Sequence, residues 1–152
     1  MESVSGDDID ILAKAKRALD RDYAPSESEE YMSEKQLNYF RVLLLEWKKS
    51  ILSASEGTLQ SLQDGPIREP DLNDRASSET DWGIELRTRD RQRKLIAKID
   101  SAMRRIEEGE YGYCEVTGEP IGLGRLVARP IATMTVEAQE AHERRERVSR
   151  DD

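Results

Sequence analysis

Cysteine and histidine are almost absent from this chain. Among 152 residues there is one cysteine, Cys114, and one histidine, His142. A single thiol excludes an intrachain disulfide, and a structural zinc site needs four thiolate or imidazole ligands. We therefore expect no disulfide and no zinc site of the four-cysteine kind.

Bulky side chains and long apolar runs are also scarce. Aromatic residues make up 5% of the chain and hydrophobic residues 36%, against 37% charged residues. The longest apolar run, Val42 to Leu45, is far short of the ~20 residues that span a membrane. The N-terminus has neither the basic start nor the apolar stretch of a secretion signal. This composition excludes a large enzyme fold and predicts a small core with exposed helices in a cytoplasmic protein that contacts no membrane.

The chain is acidic overall, with a formal net charge of -8, but its charge is unevenly distributed. The net charge argues against a general nucleic-acid binder, because phosphate binding needs a basic surface. Residues 1–30 hold nine acids and four bases, whereas residues 87–98 hold six bases and one acid. Four of these bases recur at helical spacing and predict a basic stripe, formed by Arg87, Arg91, Lys94 and Lys98.

Two long helical patterns occupy the middle of the chain. Ser33 and Gln36 form a capping box that predicts a helix start. The pattern stops at 64–66, where Gly and Pro follow Asp. A second pattern begins near Asp74 and runs to Gly109. Apolar residues spaced three and four apart give each helix a narrow seam, namely Leu37, Phe40, Leu44, Trp47, Ile51 and Ala54 in the first and Leu95, Ile99, Ala102 and Ile106 in the second.

The matching seams predict a mainly α fold built on a long antiparallel coiled-coil hairpin. Helices of about thirty residues would project roughly 45 Å from a small globular body, with a tip at 70–76. A short amphipathic helix is expected near Asp8 to Arg21, and another from Val136 to Val148. The predicted organisation is a monomer with an N-terminal segment at 1–32, the hairpin at 33–109, a turn-rich segment at 110–137 and a C-terminal helix at 138–152.

Several short motifs in the turn-rich segment and the hairpin occur together. They are Tyr111-Gly112-Tyr113-Cys114-Glu115, Gly118-Glu119-Pro120-Ile121-Gly122, Arg125-Leu126, Ala128-Arg129-Pro130, Glu85 to Arg91, Lys94-Leu95-Ile96 and Asp71 to Ala76. The combination resembles the DksA/TraR family of RNA polymerase regulators over roughly residues 30–145. The resemblance implies a transcription regulator whose coiled-coil tip enters the secondary channel of RNA polymerase. There it would alter the stability of promoter complexes, together with the alarmone ppGpp in the stringent response.

The resemblance also implies roles for particular residues. At the tip, Asp71, Asp74 and Ala76 would act near the polymerase active site. The positions expected to bind ppGpp or polymerase are Arg91, Leu95, Lys98, Arg129 and Gln139. Gln139 is usually Lys in the family, and a neutral amide binds phosphate more weakly than an ammonium group does. We therefore expect weaker ppGpp binding than in a relative that carries Lys.

In that family the turn-rich segment is a zinc finger, which here lacks most of its ligands. The matching positions are Cys114, Thr117, Thr135 and Ala138. Because a Thr hydroxyl is a poor zinc ligand and Ala is none, the chain resembles a low-cysteine, zinc-independent branch. Without zinc, the finger-like segment (residues 110–137) would depend on hydroxyl hydrogen bonds from Thr117 and Thr135. It would also depend on apolar packing by Tyr113, Val116, Ile121, Leu126, Met134 and Val136. Cys114 is either a redox-active thiol or, as we favour, a partly buried inert residue.

Two classes of function remain open at this point. The sequence holds no phosphate-binding glycine loop, nucleophile elbow or supported pair of carboxylates, and His142 has no catalytic partner, so we expect no enzyme. The first class is a polymerase-channel regulator without sequence-specific DNA binding. The alternative is a generic coiled-coil adaptor that docks an acidic partner or nucleic acid through the basic stripe. In the adaptor, Asp71 and Asp74 would be turn and cap residues only.

Overall fold

The computed structural model describes residues 6–17, 19, 22–64 and 72–151. It contains five α-helices: α1 (Gly6–Arg17), α2 (Glu34–Asp64), α3 (Leu72–Glu108), α4 (Leu123–Ala128) and α5 (Val136–Asp151). Extended pairing within the described residues amounts to one isolated bridge between Tyr113 and Pro120. The mainly α prediction is confirmed, whereas the short helix α4 is an element that the sequence pattern did not predict. None of the helices in the described ranges is both long and apolar enough to cross a bilayer.

The predicted capping box holds the start of α2, with one change. Ser33 Oγ accepts a hydrogen bond from the backbone N–H of Gln36 at 3.4 Å. The side-chain oxygen of Gln36 accepts from the N–H of Met32 at 2.8 Å, one residue before the expected donor. The amide nitrogen of Gln36 donates to the carbonyl of Ser26 at 3.1 Å. These bonds satisfy a fully buried amide and fasten the preceding loop to the helix.

Helices α2 and α3 pack against each other along the predicted seams, and we call this pair the stem. The prediction for the two ends of the connection was close, because α2 ends at Asp64 and α3 begins at Leu72. At ~1.5 Å per residue, the 37 residues of α3 extend roughly 55 Å. Leu37 is half-buried and Ala54 is exposed. The other predicted seam residues are buried, namely Phe40, Leu44, Trp47, Ile51, Leu95, Ile99, Ala102 and Ile106.

At the base of the stem the core is broader than the predicted narrow seam. Leu43 is fully buried although it lies outside that seam. Helix α1, which ends at Arg17 rather than near Arg21, packs against α2 and contributes Leu12 and Ala15 to the same core. A third helix in the core requires a wider apolar face on α2 than two helices do. The expectation of a strict two-helix seam was therefore wrong at this end.

The finger-like segment folds back onto the base of the stem. Gly109, with a φ of 76°, ends α3, and the N–H of Tyr111 reaches back to the carbonyl of Arg105 at 3.1 Å. The ring of Tyr111 lies 5.5 Å from that of Phe40, centroid to centroid. Its hydroxyl donates to the carbonyl of Pro130 at 2.8 Å. The buried phenol thus joins the finger-like segment to the core of the stem.

The predicted apolar packing of the finger-like segment is confirmed in part. Ile121 and Leu126 are buried, and Met134 packs against the core. Exposed instead are Tyr113, Val116 and Val136. The prediction was wrong for Val116 and Val136, because turns and α4 decide which side chains face inward. Tyr113 is 36% exposed but still packs edge-on against Tyr31, with 5.7 Å between the ring centroids. Four further residues of the segment are buried, namely Tyr111, Leu123, Ile131 and Ala132.

Candidate functional site

The described backbone of the tip, residues 72–76, lies at the far end of the stem from the finger-like segment. Asp71 is outside the described residues. The backbones of Asp74 and Ala76 belong to the beginning of α3, so the residues from Leu72 onward are helical rather than part of a loop. The side chains of Asp74 and Ala76 are also outside the described part. An acidic residue in this first turn is favoured by the helix dipole, which supplies a structural reason for Asp74 in addition to any functional one.

Three residues predicted to bind ppGpp or polymerase meet in one cleft at the base of the stem. Lys98 of α3, Arg129 at the end of α4 and Gln139 of α5 line a cavity of about 220 Å³, together with Arg125 and Ser101. The cavity wall is completed by residues 131–134. We call this cavity the basic cleft. The fold therefore brings together side chains that are up to 41 positions apart in the sequence.

Two neighbouring guanidinium groups dominate the electrostatics of the basic cleft. Burial lowers the pKa of Arg129, and the positive charge of Arg125 lowers it further, whereas Glu143 acts in the opposite direction. Arg125 is fixed in place because its Nε donates to the carbonyl of Met134 at 2.9 Å. Two like charges held close together repel each other, and a bound anion relieves that repulsion. The cleft is therefore suited to a phosphate group.

The side chain of Gln139 lines the basic cleft and is also hydrogen-bonded to Glu143. Its amide nitrogen donates to Glu143 Oε1 at 3.2 Å, one helical turn along α5. Glu143 also reduces the positive potential around Arg129. With a neutral amide at position 139, the cleft contains two arginines and one lysine as its cations, and Glu143 offsets part of that charge.

The remaining predicted binding residues have different surroundings. Leu95 is buried in the core, with 6% of its surface exposed, and it is not among the residues that line the cleft. Arg91 is half-buried, and Lys94 forms an ion pair with Asp90 at 3.3 Å. The basic stripe is thus a partly neutralised helix face, and Lys98 is its member that reaches the basic cleft.

Arg125 is a cleft residue to which the sequence analysis assigned no role. It belongs to the Arg125-Leu126 motif and lies four residues before Arg129, so the two share one helical face of the short α4 region. That spacing was the available signal. The spacing of four residues identifies Arg125 as a neighbour of Arg129 only if α4 is known to be a helix. A helix of six residues next to several glycines leaves no clear periodic pattern in the sequence.

The positions that match the family's zinc ligands come together around Cys114. The thiol is buried, with 3% of the residue exposed. Thr117 Oγ1 accepts from the N–H of Glu119 at 3.2 Å, and Thr135 Oγ1 accepts from the N–H of Ala138 at 3.1 Å. Both predicted hydroxyl hydrogen bonds are confirmed. They close the two turns that carry these positions.

The sulfur of Cys114 lies among hydrogen-bond donors. Burial acts to raise its pKa, but the Thr117 hydroxyl and the backbone N–H groups of Thr117, Thr135 and Val116 together lower the pKa to about 7. Donors pointed at the sulfur favour the thiolate in the way that a metal ion would. The thiol is buried, as expected, although its thiolate is better stabilised than the sequence indicated.

These residues do not fit a zinc ion. One thiolate is available, the two threonine hydroxyls are engaged with the backbone, and Ala138 has no donor atom. Across the described ranges, no group of three or more His, Cys, Asp or Glu side chains is arranged to hold a metal.

Comparison with known protein families gives two adjoining matches. Residues 36–106 match the family described as DnaK suppressor protein DksA, N-terminal domain. Residues 109–144 match the prokaryotic dksA/traR C4-type zinc finger. The two matches together extend over the stem and the finger-like segment, well over half of the chain.

Individual relatives match over most of the chain. The RNA polymerase-binding transcription factor DksA of Caulobacter vibrioides (strain NA1000 / CB15N) is 66% identical over 131 residues, which are 86% of this chain and 92% of the relative. The protein of the same description from Escherichia coli (strain K12) is 40% identical over 125 residues, 82% of this chain and 83% of the relative. The solved structure of transcription factor DksA2 from Pseudomonas aeruginosa superposes with a TM-score of 0.70 at 40% identity, covering 91% of this chain and 98% of that one.

Proposed function

This chain belongs to the DksA/TraR family, and on that premise we propose that it is a transcription regulator that binds RNA polymerase. Its relatives in Caulobacter vibrioides and Escherichia coli are described as RNA polymerase-binding transcription factors. The observation that carries the proposal is that the similarity spans the stem and the finger-like segment together. A regulator of this kind performs no catalysis and instead changes the stability of promoter complexes.

The proposed mechanism depends on the length of the stem. A stem roughly 55 Å long carries the backbone of Asp74 away from the base, and such a narrow projection can enter a channel that a globular domain cannot. We propose that the tip enters the secondary channel and that its carboxylates act near the polymerase active site. Added negative charge there would change the local electrostatic balance on which an open promoter complex depends.

We further propose that the basic cleft binds ppGpp at the interface with polymerase during the stringent response. Lys98, Arg125 and Arg129 offer charge-assisted hydrogen bonds, and guanidinium groups match phosphate geometry. The cleft volume of about 220 Å³ is below the range of roughly 300–1,000 Å³ for a complete ligand pocket. The polymerase surface would then supply the rest of the site, which makes the nucleotide a bridge between the two proteins.

The proposal includes a zinc-free monomer that acts in the cytoplasm and does not read DNA sequence. Support for the absence of zinc comes from the hydrogen bonds around Cys114 and from the lack, among the described residues, of a cluster of His, Cys, Asp or Glu side chains that could hold a metal. Support for a monomer comes from the pairing of α2 with α3 inside one chain. The acidic net charge disfavours direct DNA binding.

A generic coiled-coil adaptor is the second candidate, and the basic stripe is the observation that favours it. Binding of the purified chain to purified RNA polymerase, measured after nuclease treatment, separates the two candidates. We expect a one-to-one complex that survives the nuclease. A complex that is lost with the nucleic acid, or equal binding to an unrelated acidic protein, would support the adaptor instead.

A further inference from the structure

Ion pairs link the two helices of the stem at a regular interval. Arg41 pairs with Glu107 at 3.5 Å, and Lys48 pairs with Asp100 at 2.8 Å. Each pair places the cation on α2 and the carboxylate on α3, and the second pair lies seven residues from the first on both helices. This repeat is one heptad of the coiled coil, so the two pairs follow one edge of the stem.

One heptad further toward the tip, the pattern changes. The next pair of positions is Ser55 on α2 and Arg93 on α3. Ser55 donates to Gln92 Oε1 at 2.8 Å, and Arg93 binds Asp90 of its own helix at 3.1 Å. The cation now stands on α3, and α2 presents a hydroxyl in place of a charge. The edge of the stem therefore has no cross-helix ion pair at this heptad between described residues.

A groove with an apolar floor opens at the same place. It has a volume of about 630 Å³ and is lined by Leu52, Ser55, Glu56, Leu86, Arg89, Arg93 and Ile96. Leu52 and Leu86 are 45% and 46% exposed, although both are large aliphatic side chains. Toward the base, the Lys48–Asp100 ion pair lies one helical turn beyond Leu52 and Ile96. We call this feature the stem groove.

The stem groove is rimmed mainly by positive charge. Arg89 and Arg93 are exposed and one helical turn apart on α3. Asp90 is shared between Arg93 and Lys94, at 3.1 and 3.3 Å, so one carboxylate serves two cations. Glu56 is the acidic residue of the lining. An apolar floor beside an excess of guanidinium charge complements a surface that is both apolar and acidic.

The stem groove is separate from the basic cleft. Arg93 lines the groove and Lys98 lines the cleft. Five residues along an α-helix correspond to a rotation of about 140°, which places these two side chains on nearly opposite edges of α3. A ligand in the basic cleft therefore does not fill the groove.

We propose that the stem groove binds an acidic amphipathic α-helix of a protein partner. Apolar side chains at positions i and i+3 or i+4 of that helix would pack on Leu52, Leu86 and Ile96. Two carboxylates one turn apart would pair with Arg89 and Arg93, which have the same spacing. The carboxylates of the partner helix would thereby pair with cations of α3 at a heptad where Ser55, rather than a charged residue, stands opposite Arg93. The identity of the partner as RNA polymerase rests on the proposed function.

Photo-crosslinking on the full chain tests this inference. The photoreactive residue p-benzoylphenylalanine is placed at position 52, inside the groove, or at position 53, where exposed Ser53 is outside its lining. Purified RNA polymerase is the probe. We expect a crosslink to a polymerase subunit from position 52 and a much weaker one from position 53, with the crosslinked peptide forming an acidic helix.

Charge reversal supplies the matched binding measurement. We expect R89E/R93E to weaken polymerase binding by about tenfold or more, because carboxylates would then face carboxylates. R104E/R144E, which reverses two exposed arginines outside the groove lining and so changes the net charge by the same amount, controls for net charge. Leu86→Ser tests the apolar floor, and we expect this variant to fold because Leu86 is 46% exposed. Circular dichroism checks that each variant is folded.

The possible failures are distinguishable. If the wild-type chain does not bind polymerase, the proposed function fails and the assignment of this partner fails with it. If the wild type binds but R89E/R93E and Leu86→Ser bind equally well, the groove inference alone is wrong. A crosslink from position 52 to a second copy of the chain would also overturn it, since the groove would then be a self-association surface.

Discussion

Cys114 shows how one side chain can be held at a family zinc position by hydrogen bonds. Its sulfur receives the Thr117 hydroxyl and three backbone N–H groups, which is a donor shell of the kind that stabilises a thiolate. Because the chain has a single cysteine, its titration can be followed without interference. We expect ultraviolet absorbance of the thiolate to rise with a midpoint near pH 7, and we expect Thr117→Val to raise that midpoint.

The same pKa shift fixes how stability depends on pH. An unfolded cysteine has a pKa of about 8.5, and the folded value of about 7 is lower. The thiolate therefore stabilises the folded state above the unfolded pKa, and this contribution is lost as the pH falls through 7. Compared with Cys114→Ser, the wild-type chain should gain stability between pH 7 and 8.5. A midpoint at the ordinary thiol value, with no such gain, would show that the donor shell is ineffective.

A second prediction for single residues concerns the nucleotide. Gln139→Lys should increase the ppGpp response of transcription with purified polymerase, because an ammonium group would replace an amide that now donates to Glu143. One charge-assisted phosphate contact is worth on the order of 1.5–3 kcal/mol, or about ten- to a hundredfold in affinity at most. An ammonium group at position 139 would also pair with Glu143, which weakens its contact with phosphate. We therefore expect an increase in affinity that is smaller than this maximum.

Loss of the cleft's cations provides the opposite test. Lys98→Ala and Arg129→Ala should each reduce the ppGpp response, while Arg104→Ala, outside the cleft lining, should not. If Lys98→Ala and Arg129→Ala both leave the response unchanged, the basic cleft does not bind the nucleotide.

At the scale of helices, two leucines of α2 distinguish the core from the surface. Leu43 is fully buried, whereas Leu45 is 42% exposed. We expect Leu43→Ala to lower the free energy of unfolding by about 2–5 kcal/mol, as buried Leu-to-Ala changes do, and Leu45→Ala to cost much less. Urea denaturation followed by circular dichroism measures both. Equal losses would contradict the three-helix core at the base of the stem.

The two long helices could be predicted from sequence because their signals are local. The capping box at Ser33 and the seam around Ile99 depend on residues within a few turns of one another. The burial of Leu43 was not predictable in the same way, because it depends on α1, whose position on α2 no periodicity reveals. When only two helices are considered, the apolar spacing of α2 places Leu43 outside the seam.

The finger-like segment was predicted less well, for a related reason. Its fold depends on turns and on contacts such as the Tyr111 hydroxyl bond to Pro130, at 2.8 Å. Such contacts leave no repeating pattern, so apolar residues such as Val116 were expected inside although they are exposed. Lys98, Arg129 and Gln139 were identified through family motifs, whereas Arg125 required knowledge of α4. Some of the residues that line the basic cleft could therefore be predicted from the sequence, but their arrangement in space could not.

At the scale of the whole molecule, hydrogen bonds join the finger-like segment to the N-terminal region and the base of the stem. Tyr31 contributes through its hydroxyl, which donates to the carbonyl of Gly112 at 2.6 Å and accepts from the N–H of Gly122 at 3.1 Å. Lys16 of α1 donates to the carbonyl of Val127 at 2.8 Å. These bonds link the N-terminal region, the stem base and α4 into one body.

This arrangement predicts that the chain does not need zinc to fold. Elemental analysis of the purified protein should find no stoichiometric zinc, and helical circular dichroism should be unchanged in strong chelator. A four-cysteine zinc-finger relative is the control, since structural zinc sites lose their fold without metal. One tightly held zinc per chain, whose removal unfolds the helices, would mean that ligands outside the described cluster complete a site.

The central claim is that the stem carries acidic residues into polymerase to change promoter complexes. In vitro transcription from a ribosomal promoter, comparing the wild type with Asp74→Asn, tests it most directly. We expect the wild type to change the lifetime of the promoter complex and the variant to lose that effect. Polymerase affinity should stay within about twofold, because one tip residue contributes little of the docking surface. Regulation by the variant equal to that of the wild type would contradict the account and leave Asp74 as a helix-start residue only.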